Sequence, residues 1–177
     1  MPESKISESL GIAVQMEQKG QRFYREAAER MTHPFGRQMF QSLTHDEERH
    51  ERIFREMAEQ EGLRPAEMDE IDREGPAKRI STIFSRIAKE IKEQLEPSDD
   101  DIAVLDKALD LEEQAFSFYN ETAQKTTDET EQAILRKIAN EENEHYKILN
   151  DTRLYLTNPE EWHIKEEKPL IDGGAPA

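Results

Sequence analysis

Residues 43–50 read Leu-Thr-His-Asp-Glu-Glu-Arg-His, and residues 138–145 read Ile-Ala-Asn-Glu-Glu-Asn-Glu-His. Both stretches have an apolar residue, a glutamate four positions later and a histidine three positions after that, and they lie 95 residues apart. Two earlier segments match at the same offset, Met16-Glu17 with Leu111-Glu112 and Phe23-Tyr24 with Phe118-Tyr119. An internal repeat of this kind predicts two copies of one structural unit.

Each copy is predicted to form a helical hairpin, because its apolar residues recur at steps of three and four. The predicted helices span about residues 7–31, 35–61, 101–125 and 129–156. Short loops within each half favour antiparallel neighbours, and a long connection between two hairpins is typical of ferritin-like bundles. We therefore expect an all-α, ferritin-like four-helix bundle that forms a single domain over residues 1–177.

The expected boundaries divide this domain into four parts. Hairpin one covers about residues 6–62, with Gly62 as a helix stop, and hairpin two covers about residues 99–157. The long crossover over residues 63–98 contains a short predicted helix at about 77–95, whose apolar face would cover the bundle or another subunit. The tail, residues 158–177, holds Trp162 as its expected anchor.

The composition limits the class of protein. Hydrophobic residues make up 34% of the chain, charged residues make up 36%, and the net charge is −16. Such acidity disfavours nucleic acid or an anionic membrane as a partner, since these attract basic patches. The absence of cysteine excludes disulfides and thiolate metal sites and fits a reducing cytoplasm. No apolar run is long enough for a membrane span or placed as a secretory signal.

Along each predicted helix, residues at alternating steps of four and three form a stripe that would face the core. Every such core stripe carries a glutamate near its middle. Burying one unpaired carboxylate costs several kcal/mol, so four would outweigh a typical folding stability of about 5–15 kcal/mol. Two divalent cations would balance the four charges, and oxygen and imidazole ligands suit iron or manganese and also accept zinc. We therefore predict a two-metal site on four glutamates and on two histidines that lie one turn past two of them: Glu17, Glu47, His50, Glu112, Glu142 and His145.

Two tyrosines lie on the same helix faces as Glu17 and Glu112, the two predicted ligands that have no histidine one turn later (here called the lone glutamates). Tyr24 and Tyr119 each lie seven residues after a predicted ligand. They either fill the core with a satisfied hydroxyl or donate a hydrogen bond to a ligand carboxylate, where they could serve as one-electron donors. Gly20 and Ala115 lie one turn past the lone glutamates, and their small size either leaves space for metals and an oxidant or permits close helix packing.

Other polar residues receive simpler interpretations. Most of the acids beside the predicted ligands should face solvent, and one or two should reach a ligand imidazole; these acids are Asp46, Glu48, Glu141 and Glu144. The remaining histidines are expected at the surface: His33, His45 and His163.

Four motifs of the chain match a known family pattern: Met16-Glu17 followed by Phe23-Tyr24, Asp46-Glu47-Glu48-Arg49-His50, Glu141-Glu142-Asn143-Glu144-His145 and Asn158-Pro159-Glu160-Glu161-Trp162. In these motifs the chain resembles the rubrerythrin-like branch of the ferritin superfamily. The resemblance implies the same six ligands, two iron ions and a non-haem di-iron oxidoreductase. Such an enzyme oxidises Fe(II) with hydrogen peroxide or dioxygen, as a peroxidase in defence against oxidants or as a ferroxidase.

Two departures from the family pattern shape this expectation. Rubrerythrins proper carry a rubredoxin domain with four cysteines, so for this cysteine-free chain the resemblance implies a separate, rubredoxin-like electron donor. They also place an extra carboxylate where this chain has Ala115 or Gly20, which makes its ligand set closer to bacterioferritin-type ferroxidase sites. The resemblance further implies a homodimer or higher homo-oligomer. The alternatives are an iron-buffering protein without catalysis and a structural helical bundle.

Overall fold

The computed structural model describes residues 3–58 and 99–162. These residues form four long helices, α1 (Glu3–Arg30), α2 (Pro34–Ala58), α3 (Asp99–Lys125) and α4 (Glu129–Thr157), followed by a helical turn at residues 159–162. No strand occurs within the described ranges, so the predicted all-α, ferritin-like bundle is confirmed. The predicted Gly62 stop, the crossover helix at about 77–95 and the tail beyond Trp162 lie outside the described residues.

The helix ends follow local chemistry. α2 begins at Pro34, one residue before its predicted start, and proline fits the first helical turn because no backbone N–H is needed there. α4 begins after Asp128, whose side chain accepts hydrogen bonds from the backbone N–H groups of Thr130 and Glu131, both at 2.9 Å. Within the described ranges, no helix is both long and apolar enough to cross a bilayer.

The helices pack in pairs, α1 against α2 and α3 against α4, and the two pairs meet along α1–α3 and α2–α4. Their apolar side chains form two separate clusters. On α2, Leu43 belongs to one cluster and Phe54 belongs to the other, with Glu47 and His50 between them in sequence. Since apolar packing closes both ends, the fold holds a buried polar layer in the middle of the bundle.

Candidate metal centre

All six predicted ligands meet in this polar layer. Each helix brings one glutamate inward, and α2 and α4 each add a histidine one turn later on the same face. Both imidazoles are completely buried, and each carboxyl group is at most 5% exposed. The phase of the core stripes therefore places Glu17, Glu47, His50, Glu112, Glu142 and His145 as the sequence predicts.

The six side chains form two overlapping groups of four, and within each group the candidate ligand atoms all lie within 4.8 Å of one another. The first group is Glu17, Glu47, His50 and Glu142, and the second is Glu47, Glu112, Glu142 and His145. Glu47 and Glu142 belong to both groups. The internal repeat alone predicts one half-site per hairpin, with Glu17, Glu47 and His50 in the first and Glu112, Glu142 and His145 in the second. In the structure each hairpin instead lends a glutamate to the half-site of the other.

The imidazoles present the same nitrogen to the carboxylates. Nδ1 of His50 lies 3.0 Å from Oε1 of Glu142. Nδ1 of His145 lies 3.2 Å from Oε2 of Glu142 and 3.4 Å from Glu47 and Glu112. The two rings stack with centroids 5.9 Å apart and planes 22° from parallel. Nδ1 is therefore the atom of each ring that is placed to bind a cation.

Several polar atoms in this layer lack a hydrogen-bond partner among the described residues. They include Oε2 of Glu17 and Oε1 of Glu47. Leaving buried polar atoms unpaired is costly, so such a group needs a further partner. Carboxylate oxygens and imidazole nitrogens are donors that suit iron and manganese and also accept zinc. The cluster could thus hold metal, and the donor set fits these ions.

Burial and mutual charge shift the protonation of this cluster. Burial raises the pKa of Glu47 and of Glu112 well above the ordinary range of a carboxyl group, and the charge of Glu142 adds to both effects. Burial lowers the pKa of His50 and of His145, but the surrounding carboxylates outweigh it and raise both well above 6.5. Positive charge is therefore stabilised at the centre, and a metal ion that binds there must displace protons.

Glu142 shifts in the opposite direction to the other carboxyl groups. Burial raises its pKa, but the charge of His50 and hydrogen bonds from both imidazoles lower it below the ordinary value. Glu142 therefore stays ionised as the central acceptor of the cluster.

The two tyrosines hydrogen-bond the lone glutamates across the hairpin boundary. Tyr24 of α1 donates to Oε1 of Glu112 on α3, and Tyr119 of α3 donates to Oε1 of Glu17 on α1. Burial raises the pKa of both phenols well above 10, and the nearby carboxylates add to the effect. Both hydroxyls thus keep their protons and act as donors, so the hydrogen-bonding alternative is the one that the structure supports.

Gly20 and Ala115 line a cavity beside the cluster. The cavity has a volume of about 170 Å³ and reaches Glu17, Glu47 and Glu112. A Cβ atom at Gly20 would lie 3.3 Å from Oε2 of Glu47, which is tighter than ordinary contact. The small side chains therefore leave space beside the carboxylates, as one of the two sequence interpretations predicts.

Two of the four neighbouring acids reach the imidazoles. Oε2 of Glu141 lies 3.3 Å from Nε2 of His50, and Oδ2 of Asp46 lies 3.5 Å from Nε2 of His145. Both carboxyl groups are buried, whereas Glu48 is exposed. Sequence reasoning expected one or two such contacts but could not choose among the four, because each of these carboxyl groups faces the imidazole of the opposite hairpin.

The predicted surface positions of the other three histidines agree only partly with the structure. His45 is exposed as predicted, and His163 lies outside the described residues. The prediction for His33 is wrong: it is only 5% exposed and packs edge-on against Tyr155, with ring centroids 6.1 Å apart. Tyr155 also contacts Trp162, at 5.3 Å between ring centroids, so Trp162 packs against α4. No local pattern in the sequence predicts that the α1–α2 connection packs against the end of α4.

Comparisons with known proteins agree with this geometry. A solved structure of a hypothetical protein from Pyrococcus furiosus matches with a TM-score of 0.65 and 23% identity, covering 90% of this chain and 95% of that chain. This likeness supports the fold alone. No curated protein matches the chain. The sequence profile of the Rubrerythrin family matches residues 8–153, which is most of the chain. All six clustered side chains lie within this range. The chain therefore belongs to the rubrerythrin family.

Proposed function

We propose that the polar layer binds two iron ions and that the protein is a di-iron oxidoreductase that oxidises Fe(II) with hydrogen peroxide or dioxygen. The observation that carries the proposal is the pair of overlapping ligand groups, each with its ligand atoms within 4.8 Å of one another. When bound, two Fe(II) ions supply one electron each to an oxidant. Four ionised glutamates balance two divalent ions, which makes the charge tolerable in a buried layer.

The six side chains have distinct roles in this proposal. Glu47 and Glu142 belong to both groups, so both would help to hold either ion. Glu17 and Glu112 would each help to hold one ion, and the tyrosine hydroxyl on each carboxyl oxygen limits its rotation. The histidines would bind through Nδ1, since Nε2 of each ring points toward a second carboxylate.

The cavity beside Gly20 and Ala115 supports access by a small oxidant. It reaches three of the four ligand carboxylates, and both tyrosines line it. Met16 and Leu111 give it apolar walls, and Lys19 and Gln114 add polar groups to its lining. Electrons for a further cycle would come from a separate donor, because the chain has no cysteine for an iron–sulfur centre of its own.

The proposal is tested by loading the metal-free protein with two equivalents of Fe(II) under anaerobic conditions and then adding peroxide. We expect both ions to be retained and then oxidised rapidly and stoichiometrically. Glu112→Ala should lose at least one ion and the fast oxidation. Glu113→Ala is the matched control, because it removes an exposed carboxylate at the next position of the same helix.

The possible results distinguish the oxidoreductase from the iron-buffering protein and the structural bundle. Failure to retain any metal would contradict the proposal and favour the structural bundle. Oxidation that Glu112→Ala does not change would place the chemistry elsewhere. Retention of iron that is released to a chelator within seconds, without reaction with peroxide or dioxygen, would favour the iron-buffering alternative.

A further inference from the structure

Arg49 lies at the boundary between the hairpins, next to the candidate centre. Its side chain is 15% exposed, and its guanidinium contacts Oε2 of Glu141 on α4. The same NH2 nitrogen lies 3.3 Å from Oδ1 of Asp46 and 3.4 Å from Nε2 of His50. The Arg49 guanidinium therefore contacts both Asp46 and Glu141, the two carboxylates that face Nε2 of the imidazoles.

Asp46 and Glu141 are equivalent positions of the repeat, 95 residues apart, and each faces the histidine of the other hairpin. Arg49 breaks this symmetry. Its repeat equivalent is Glu144, which cannot supply a positive charge. A single guanidinium thus serves both halves of the site, and its planar set of donors suits two carboxylates at once.

We propose that Arg49 is a positioning residue that holds Asp46 and Glu141 against the imidazoles and so directs Nδ1 of both rings toward the metals. The inference rests on the proposed metal binding. Nε2 of His50 lies 3.3 Å from Glu141, and Nε2 of His145 lies 3.5 Å from Asp46. A carboxylate beside Nε2 favours the tautomer with its proton on that nitrogen, which leaves Nδ1 with the free lone pair that can bind metal. Without the guanidinium, two buried like charges would repel each other and turn toward solvent.

The experiment compares Arg49→Gln, Arg49→Lys and the control Arg52→Gln. The control removes the same charge from the same helix, at a side chain that is 48% exposed. Cobalt(II) is titrated into each metal-free protein, and the dissociation constant is measured from the visible absorption of the bound ion. Arg49→Gln should bind cobalt about 10–100-fold more weakly than the parent, the usual effect of losing support behind a ligand. Arg49→Lys should recover part of the loss, and Arg52→Gln should match the parent.

Proton NMR of the cobalt-loaded proteins gives a second readout, which a purely structural role would not change. The parent should show two exchangeable, strongly shifted N–H resonances, one for each imidazole. In Arg49→Gln both should broaden through faster exchange with water. If this variant lacks the helical content of the parent, Asp46→Ala replaces it, and only the resonance of His145 should then broaden.

Three results would overturn the proposal. The first is parent-like affinity and parent-like resonances in Arg49→Gln, and the second is an equal loss in Arg52→Gln. The third, where Asp46→Ala is used, is an unchanged resonance of His145. Failure of the parent itself to bind cobalt would instead contradict the proposed function, so the two failures are distinguishable.

Discussion

Gly20 and Gly11 lie on the same helix but in different surroundings. A Cβ atom at Gly20 would meet Oε2 of Glu47 at 3.3 Å, whereas a Cβ atom at Gly11 would have nothing within 4 Å. Glycine inside a helix costs about 1 kcal/mol relative to alanine. A substitution at Gly11 therefore changes only the helix preference, whereas a substitution at Gly20 also affects the position of Glu47, a candidate ligand that belongs to both groups.

We predict that Gly20→Ala weakens metal binding and that Gly11→Ala does not. Gly11→Ala should raise the free energy of unfolding by about 0.5–1 kcal/mol through helix preference alone. Gly20→Ala should push the Glu47 carboxyl group away by a few tenths of an ångström and so weaken zinc binding. Urea unfolding of the metal-free proteins and zinc titration against a competing chelator measure the two effects. Equal zinc affinity in both variants would contradict the prediction.

The tyrosines show how far single residues could be read from the sequence. Helical spacing placed Tyr24 and Tyr119 on the faces of Glu17 and Glu112 but left their hydroxyl partners open. The acceptors lie 88 and 102 residues away, on the opposite hairpin. Spacing along one helix reports its face, whereas a partner across the bundle depends on how the hairpins are aligned.

At the scale of elements, the connection between α1 and α2 is tied to the start of α3. Asp101 is buried in the first turn of α3, and it accepts hydrogen bonds from the backbone N–H of Thr32, at 3.0 Å, and from the hydroxyl of Thr32. His33 is the next residue, and Nδ1 of its ring has no hydrogen-bond partner among the described residues. A histidine in this setting is stable in its neutral form.

This setting predicts a pH dependence of stability. Burial lowers the pKa of His33 below 6.5, although the charge of Asp101 opposes the shift. The unfolded chain therefore binds a proton at His33 more readily than the folded protein. Its contribution to stability is complete above about pH 6.5 and is lost as the pH falls toward the lower pKa of the folded state.

The variant His33→Phe keeps a ring against Tyr155 and removes the titration. Its free energy of unfolding should fall less than that of the parent between pH 7.5 and pH 5.5, measured by urea unfolding of the metal-free proteins. His50 and His145 titrate in both proteins, so their contributions cancel in the difference. The matched control is His45→Phe, which makes the same replacement at a side chain that is 78% exposed and should not reproduce the change in slope of His33→Phe. Equal slopes for parent and His33→Phe would refute the assignment.

The helices themselves were largely predictable, because apolar periodicity and the Asp128 cap are local properties. Their ends moved by a few residues: α1 begins at Glu3 rather than near residue 7, and α3 begins at Asp99 rather than 101. The burial of His33 was not predictable, because Tyr155 and Asp101 are remote in sequence. Contacts of connecting segments depend on the assembled bundle.

At the scale of the whole molecule, the candidate metal centre joins the two hairpins. Each ligand group takes three side chains from one hairpin and one from the other, and Glu47 and Glu142 are the shared members. The repeat and the helix phase predicted the six residues that the structure brings together. They did not reveal the sharing, which depends on the two hairpins meeting at the same height along the bundle.

This sharing predicts different stoichiometries for two kinds of variant. His50 belongs to one group and Glu47 to both. His50→Ala should therefore still bind one zinc ion, whereas Glu47→Ala should bind none tightly. A site that is filled at about 100 times its dissociation constant stabilises the fold by about 2.7 kcal/mol. Zinc should thus raise the free energy of unfolding most in the parent, about half as much in His50→Ala and least in Glu47→Ala.

Elemental analysis after desalting and urea unfolding with and without zinc measure the two quantities on the same samples. His45→Ala removes an exposed imidazole from the same helix and should behave as the parent. Loss of both ions in His50→Ala would mean that the second ion needs the first. One ion retained in Glu47→Ala would show that this carboxylate serves a single site. Either result would contradict two half-sites joined only through Glu47 and Glu142, because that arrangement requires the histidine variant to keep what the glutamate variant loses.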